Sequence, residues 1–306
     1  MMNHQSVMDI EERPKGIQKI RRLPDATLGA LWDSIIMDEG EKARLLSQAV
    51  LNFTVRPQVS RSVIPLHGVI LLVGPPGTGK TSLARGLAHR VAESFNGGRF
   101  RLLEVEPHSL ASAAHGKTQR AVTDLFSQSI AEAAAGGPTI VLLDEVETLA
   151  ADRSKLSLEA NPVDVHRATD AVLVQLDALA EEHTNLLFVA TSNFPKAVDS
   201  AFLSRCDMIM PVPLPDKAAC ARILADCLTG LGQTYPAIDR LAASPKFAAC
   251  AEACVGLDGR AIRKMVANAL ATTPKTAMNP ALVTIDDLLA AAHAARKSRT
   301  ATASRS

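Results

Sequence analysis

Val69-Ile-Leu-Leu-Val73 leads without a break into Gly74-Pro75-Pro76-Gly77-Thr78-Gly79-Lys80-Thr81-Ser82, and this stretch decides the fold. A short, continuous apolar run reads as a strand buried on both faces. The Gly-x-x-x-x-Gly-Lys-Thr spacing that follows it is that of a phosphate-binding loop, in which glycines let backbone amides turn toward phosphate oxygens. A helix is predicted from Ser82 to Phe95, so the loop also sits at a positive helix N-terminus. Chance matches to this spacing lack the strand before and the helix after. In this reading Gly74 to Ser82 hold the nucleotide, Lys80 reaches its terminal phosphates, and the Thr81 hydroxyl binds Mg²⁺.

Further strands and helices alternate downstream. Arg101 to Val105, Thr139 to Leu143 and Leu186 to Ala190 read as strands, and Lys117 to Ala135 and Val163 to Leu179 as helices. That rhythm predicts an α/β fold, a parallel sheet of five strands with helices on both faces. Open sheets of this kind place their ligands at the carboxyl ends of strands. Asp144 and Glu145 follow one such end: Asp144 is expected in the Mg²⁺ shell, and Glu145 is expected to polarise the attacking water. Asn193 follows another and is suited to orienting that water or sensing the terminal phosphate, although an asparagine there also serves as a turn residue. Arg205, in Ala201-Phe-Leu-Ser-Arg-Cys-Asp207, reads either as a surface ion pair or as an arginine finger reaching a neighbouring subunit's nucleotide. Strand signals cease after Pro211-Val-Pro-Leu-Pro215. Ala-rich helices follow, the first capped by Asp216, and Arg260 opens another after Gly259.

These patterns divide the chain into a flexible leader (1–27), a nucleotide-binding domain (28–214), a helical lid (215–295) and a disordered basic tail (296–306). With 33 Lys plus Arg against 32 Asp plus Glu, there is no overall field to hold the protein on nucleic acid or on an acidic membrane. No apolar run approaches a membrane span or signal peptide, so a cytoplasmic location is expected. The cysteines at 206, 220, 227, 250 and 254 form no Cys-x-x-Cys pair and read as ordinary buried thiols.

Together, the phosphate loop, Asp144-Glu145, Thr191-Ser-Asn193, the Arg205 segment and Gly259-Arg260 resemble an AAA+ ATPase with its helical lid. Leu31-Trp-Asp-Ser-Ile-Ile36, His108-Ser-Leu110, Asp144-Glu-Val-Glu147, Asn161-Pro-Val-Asp164 and Gly259-Arg-Ala-Ile-Arg-Lys264 narrow the likeness. They are similar to the pachytene-checkpoint (thyroid-hormone-receptor-interactor) family, from about Leu28 to Leu270. The resemblance implies an ATP- and Mg²⁺-dependent ring, most often a hexamer, that remodels HORMA-domain proteins. By that resemblance Asn193 is sensor one, Arg260 sensor two, Arg205 the finger, and Ile35 and Ile36 lie near the adenine. Short members of this kind resemble the bacterial ones of CBASS antiviral operons, which encode a HORMA protein and a nucleotidyltransferase making cyclic oligonucleotides. The implied role is to take that complex apart and stop signal synthesis. The first pore loop, expected after Leu110, carries small residues where relatives have aromatic ones, which leaves Ala114, His115 and Gly116 as the substrate contacts. His115 reads equally well as a plain exposed loop residue. A second pore loop is expected over Asp152 to Asn161. The competing readings are a nucleic-acid-directed AAA+ motor, such as a clamp loader or transposition ATPase, and a scaffold that binds ATP without turnover. The charge balance disfavours the first, and Glu145 with Arg205 disfavours the second.

Overall fold

The computed structural model of the chain describes residues 16–96, 98–105, 117–152 and 162–303. The His108–Gly116 pore-loop residues, Asn161 and nearly all of the expected second pore loop lie outside these. Six strands, β1 (Ile17–Arg22), β2 (Val69–Val73), β3 (Arg101–Val105), β4 (Thr139–Leu143), β5 (Leu186–Ser192) and β6 (Met208–Pro211), form one sheet in the order β1-β3-β4-β5-β2-β6. The ladders β3–β4 and β4–β5 are parallel, as expected from their apolar runs, and every residue of β4 and β5 is buried.

The expected five parallel strands are corrected to six, because β1 adds an antiparallel partner to β3. Ile17–Arg22 falls within the flexible leader expected from the sequence, and its composition explains why. An edge strand needs one buried face only, and β1 buries Ile17 while presenting Gln18, Lys19 and Ile20 to solvent. The chain end differs in the same way: Arg296 and the residues after it continue the last helix to Ala303 instead of forming a disordered tail.

The helices are α1 (Ala26–Ser34), α2 (Glu39–Val55), α3 (Lys80–Ser94), α4 (Lys117–Asp124), α5 (Ala131–Ala135), α6 (Pro162–Glu182), α7 (Ser200–Leu203), α8 (Lys217–Gly232), α9 (Pro236–Asp239), α10 (Phe247–Ala253), α11 (Gly259–Leu270), α12 (Pro274–Met278) and α13 (Ile285–Ala303). Between α4 and α5 the helix widens into a π-helical turn over Leu125–Ile130, which buries Leu125, Phe126 and Ile130. Phe126 stacks on Phe188 of β5 with ring centroids 5.8 Å apart.

The chain divides into two compact units. The first comprises Met1–Gly29, Leu45–Leu72 and Ala84–Met210; the second comprises Ala30–Arg44, Val73–Leu83 and Pro211–Ser306. The phosphate loop therefore groups with the C-terminal helices, whereas the sequence boundary assigns it to the sheet domain. The second unit has its own core: Ile223, Leu224 and Leu228 of α8, Cys250 and Ala253 of α10, Ile262, Met265 and Val266 of α11, and Leu288 and Ala292 of α13. Asp216 caps α8 as its sequence position predicts, accepting the Ala219 N–H at 2.7 Å.

Candidate functional site

In the second unit the phosphate loop runs from Gly74 to the start of α3 at Lys80. Gly77 (φ 82°) and Gly79 (φ 92°) take left-handed backbone conformations that only glycine adopts without strain. Space restricts them as well, since a Cβ on Gly79 would overlap Ile35 and one on Gly77 would overlap the carboxyl group of Asp258. Lys80 is buried, and its ammonium donates to the carbonyls of Gly74 and Pro75 at 2.8 Å each. The cation is thus held inside the turn of the loop, at the mouth of a helix whose first amides have no intrahelical acceptor. That is the chemistry of a polyanion cradle. The donor set fits a nucleotide triphosphate.

A cavity of about 910 Å³ opens beside the loop within the same unit. Ile35, Ile36, Gly77, Thr78, Gly79, Ser82 and Arg260 line it, so seven of the expected residues come together there. Pro213, Leu214 and Pro215 add an apolar wall, while Arg222, Arg263 and Lys264 add three cations that sequence reasoning missed. The signal for two of them was present: positions 260, 263, 264 and 267 share one face of a helix. Gly74, Pro75, Pro76, Lys80 and Thr81 belong to the loop without lining this cavity.

In the first unit the ends of β4 and β5 carry a second cluster. Thr191, fully buried on β5, donates its hydroxyl to Asp144 and accepts the Glu145 N–H at 3.1 Å. Asn193 donates its side-chain amide to Glu145 Oε1 at 3.2 Å, and its own N–H goes to Glu147 Oε1 at 3.1 Å. Asp144, Glu145 and Asn193 are therefore brought together as expected, with Thr191 and Glu147 as connecting groups that sequence reasoning did not assign. Glu145 sits at φ 52°, ψ 53°, the left-handed region, which is strained for a residue with a side chain. The αL turn takes the chain off the line of β4 at this residue. Such an arrangement gives two carboxylates with separate hydrogen-bonding partners, one suited to a cation and one to a water proton.

Arg205 stands differently. Its Nε and Nη2 bond to the two oxygens of Asp177 on α6 at 2.9 and 2.6 Å, and Nη1 donates to the Ala201 carbonyl at 2.7 Å. The guanidinium holds the Asp177 carboxyl below the usual carboxylate range, and the carboxylate raises Arg205 in turn. The surface ion-pair reading of Arg205 is the one realised here.

Residues 70–214 match the family model described as "ATPase family associated with various cellular activities (AAA)". The chain is 71% identical over 286 residues to CD-NTase-associated protein 6 of Pseudomonas aeruginosa, with 94% of each chain covered. It is 36% identical over 234 residues to the pachytene checkpoint protein 2 homolog of Gallus gallus, covering 74% of this chain and 54% of that one. The chain thus spans about half the length of that relative. In fold it is similar to a chain in the structure of the E. coli MS115-1 HORMA:CdnC:Trip13 complex, with a TM-score of 0.71 at 19% identity over 90% of this chain and 94% of that one. Among the described residues, no helix is long and apolar enough to cross a membrane.

Proposed function

Because the chain belongs to the AAA family of ATPases, on the branch of the pachytene checkpoint proteins and CD-NTase-associated protein 6, we propose that it remodels a HORMA-domain protein at the expense of ATP. The observation that carries the catalytic half is the Asp144–Thr191 and Glu145–Asn193 pairing at adjacent strand ends. A scaffold that only binds nucleotide has no use for a strained glutamate held by an amide. Hydrolysis does, since phosphoryl transfer asks the protein chiefly to orient a water and to neutralise charge.

Lys80, held within the loop, is placed to take up negative charge on the phosphates, and the N-terminus of α3 adds its partial charge to that of the lysine. Glu145 accepts the proton of the attacking water, and Asn193 fixes the rotamer of Glu145 that does so. Arg260 reaches the nucleotide cavity from the start of α11. Mg²⁺, when bound, neutralises phosphate charge, and Thr81 and Asp144 are the residues that would hold it. Ile35 and Ile36 supply apolar contact for the base.

The partner assignment rests on names. The similar bacterial protein is associated with a CD-NTase, and the similar fold was solved with a HORMA protein and CdnC. This chain is accordingly assigned the disassembly of a HORMA–nucleotidyltransferase complex, acting as a ring, most simply a hexamer, which ends synthesis of a cyclic oligonucleotide signal. Ala114, His115 and Gly116 are its assigned substrate contacts.

The test mixes a purified complex of a HORMA protein and a nucleotidyltransferase with the chain and ATP, and follows dissociation and cyclic nucleotide output. The wild type is expected to release the partner catalytically, whereas Glu145→Gln binds and traps it. The absence of both release and trapping would overturn the remodelling role while leaving ATP hydrolysis standing.

A further inference from the structure

One carboxylate in the second unit makes three contacts. Asp258 is the N-cap of α11, its Oδ1 accepting the Ala261 N–H at 2.8 Å. Its Oδ2 accepts from Nη1 of Arg299 on α13, 41 residues along the chain. Its carboxyl group also occupies the space that a side chain on Gly77 would need, so it lies directly against the phosphate loop. Two residues after Asp258 comes Arg260, which lines the nucleotide cavity.

The fold does not require this ion pair. Helices α11 and α13 already share a buried core through Ile262, Met265 and Val266 on one and Leu288 and Ala292 on the other. Arg299 is 35% exposed, and a pair of that exposure contributes little to stability. What sets the pair apart is its place, since it ties the one end of α11 that touches the loop. It also answers an electrostatic problem. A carboxylate against a phosphate loop repels the polyphosphate, and Arg299 cancels that charge where it stands.

We propose that Arg299 serves the nucleotide site through Asp258, neutralising the carboxylate that caps α11 against the phosphate loop so that it does not repel the polyphosphate. The proposal rests on the ATPase reading above. It makes the last helix of the chain part of the nucleotide site without a contact to the nucleotide itself.

The test compares binding of a fluorescent ADP analogue, KM and kcat for ATP, and thermal unfolding in four variants of the full chain. Arg299→Ala leaves a bare carboxylate beside the phosphates and is expected to weaken ADP and raise KM by about three- to tenfold, with an unchanged melting temperature. Arg299→Lys keeps the charge and should bind like the wild type. Asp258→Ser retains a helix cap while removing the charge. Combined with Arg299→Ala it should therefore recover most of the lost affinity. A purely structural role gives the opposite sign, the double variant being at least as impaired as either single one, and that result would overturn the proposal. So would wild-type binding in Arg299→Ala. If the unaltered chain itself binds no ADP, the ATPase reading falls and takes this one with it.

Discussion

Arg205 and Asp177 face each other as a two-toothed ion pair within one chain, the guanidinium meeting both carboxylate oxygens at 2.9 and 2.6 Å. To act as an arginine finger, Arg205 would have to leave this partner and exchange Asp177 for a neighbour's phosphate. Mixing subunits tests whether it does. Arg205→Ala has an intact nucleotide site and Lys80→Ala an intact arginine, and each alone should be inactive. Random mixing in a ring places the two competent halves together at about one interface in four, so about a quarter of wild-type ATPase activity should return. No recovery despite proven co-assembly would leave Arg205 as the ion-pair residue seen here.

Glu145 should show a trade between function and stability. Glu145→Gln keeps the phosphate and metal contacts and is expected to bind ATP yet hydrolyse it at least about tenfold more slowly. Glu145→Gly should be equally inactive and should unfold in urea with equal or greater stability, by up to about 1 kcal/mol, because glycine adopts φ 52° without strain. A clear loss of stability in the glycine variant would mean that the glutamate side chain, and not its backbone, dominates the energetics at this turn.

Thr191 joins the two carboxylate residues through one hydroxyl, and Thr191→Val removes it at nearly constant volume. Asp144 and the Glu145 amide would each lose one hydrogen bond, at about 0.5–1.5 kcal/mol apiece. The Mg²⁺ concentration giving half-maximal ATPase activity should rise along with the drop in unfolding midpoint. A stability change without any Mg²⁺ effect would confine Thr191 to packing.

Cys206 and Cys220 are expected to be inert. Burial pushes Cys206 up to about 12 and Cys220 up to about 11, so at pH 8 both are protonated in the native protein. Iodoacetamide at pH 8 should alkylate them fully in urea and leave them untouched over the same period in buffer, as read by mass. Rapid native labelling of either would show that the structure around it opens far more often than the packing implies.

Legibility tracked sequence locality. The phosphate loop, the carboxylates after β4 and Asn193 after β5 are legible because each is a short motif on the end of a buried apolar strand. β1 is not, since its Ile-Gln-Lys-Ile-Arg-Arg composition is that of an exposed segment and its partner β3 lies about eighty residues away. Side-chain pairs escaped for the same reason. Nothing near Arg205 announces Asp177, 28 residues upstream, and nothing near Asp258 announces Arg299. The π-helical turn at Leu125–Ile130 left no mark either, because a widened turn needs the same apolar residues as an ordinary one.

The ladder around β3 has a mechanical side. Its neighbours grip it over its whole length, β1 from Ile17 opposite Val105 to Arg22 opposite Arg101, and β4 from Thr139 to Leu143. Inter-strand hydrogen bonds of an antiparallel ladder lie across the strands, and those of a parallel one are only slanted. Tension applied to the chain beyond Val105, where the first pore loop is expected, would thus load both ladders in shear, every bond sharing the force at once, instead of peeling them apart singly. Loaded in that way the strand would pass the pull on to its neighbours, and the β4 residue opposite Val105 is Leu143, one position before Asp144. A pull on the chain beyond Val105 would thus be felt next to Asp144, the residue proposed to hold the metal.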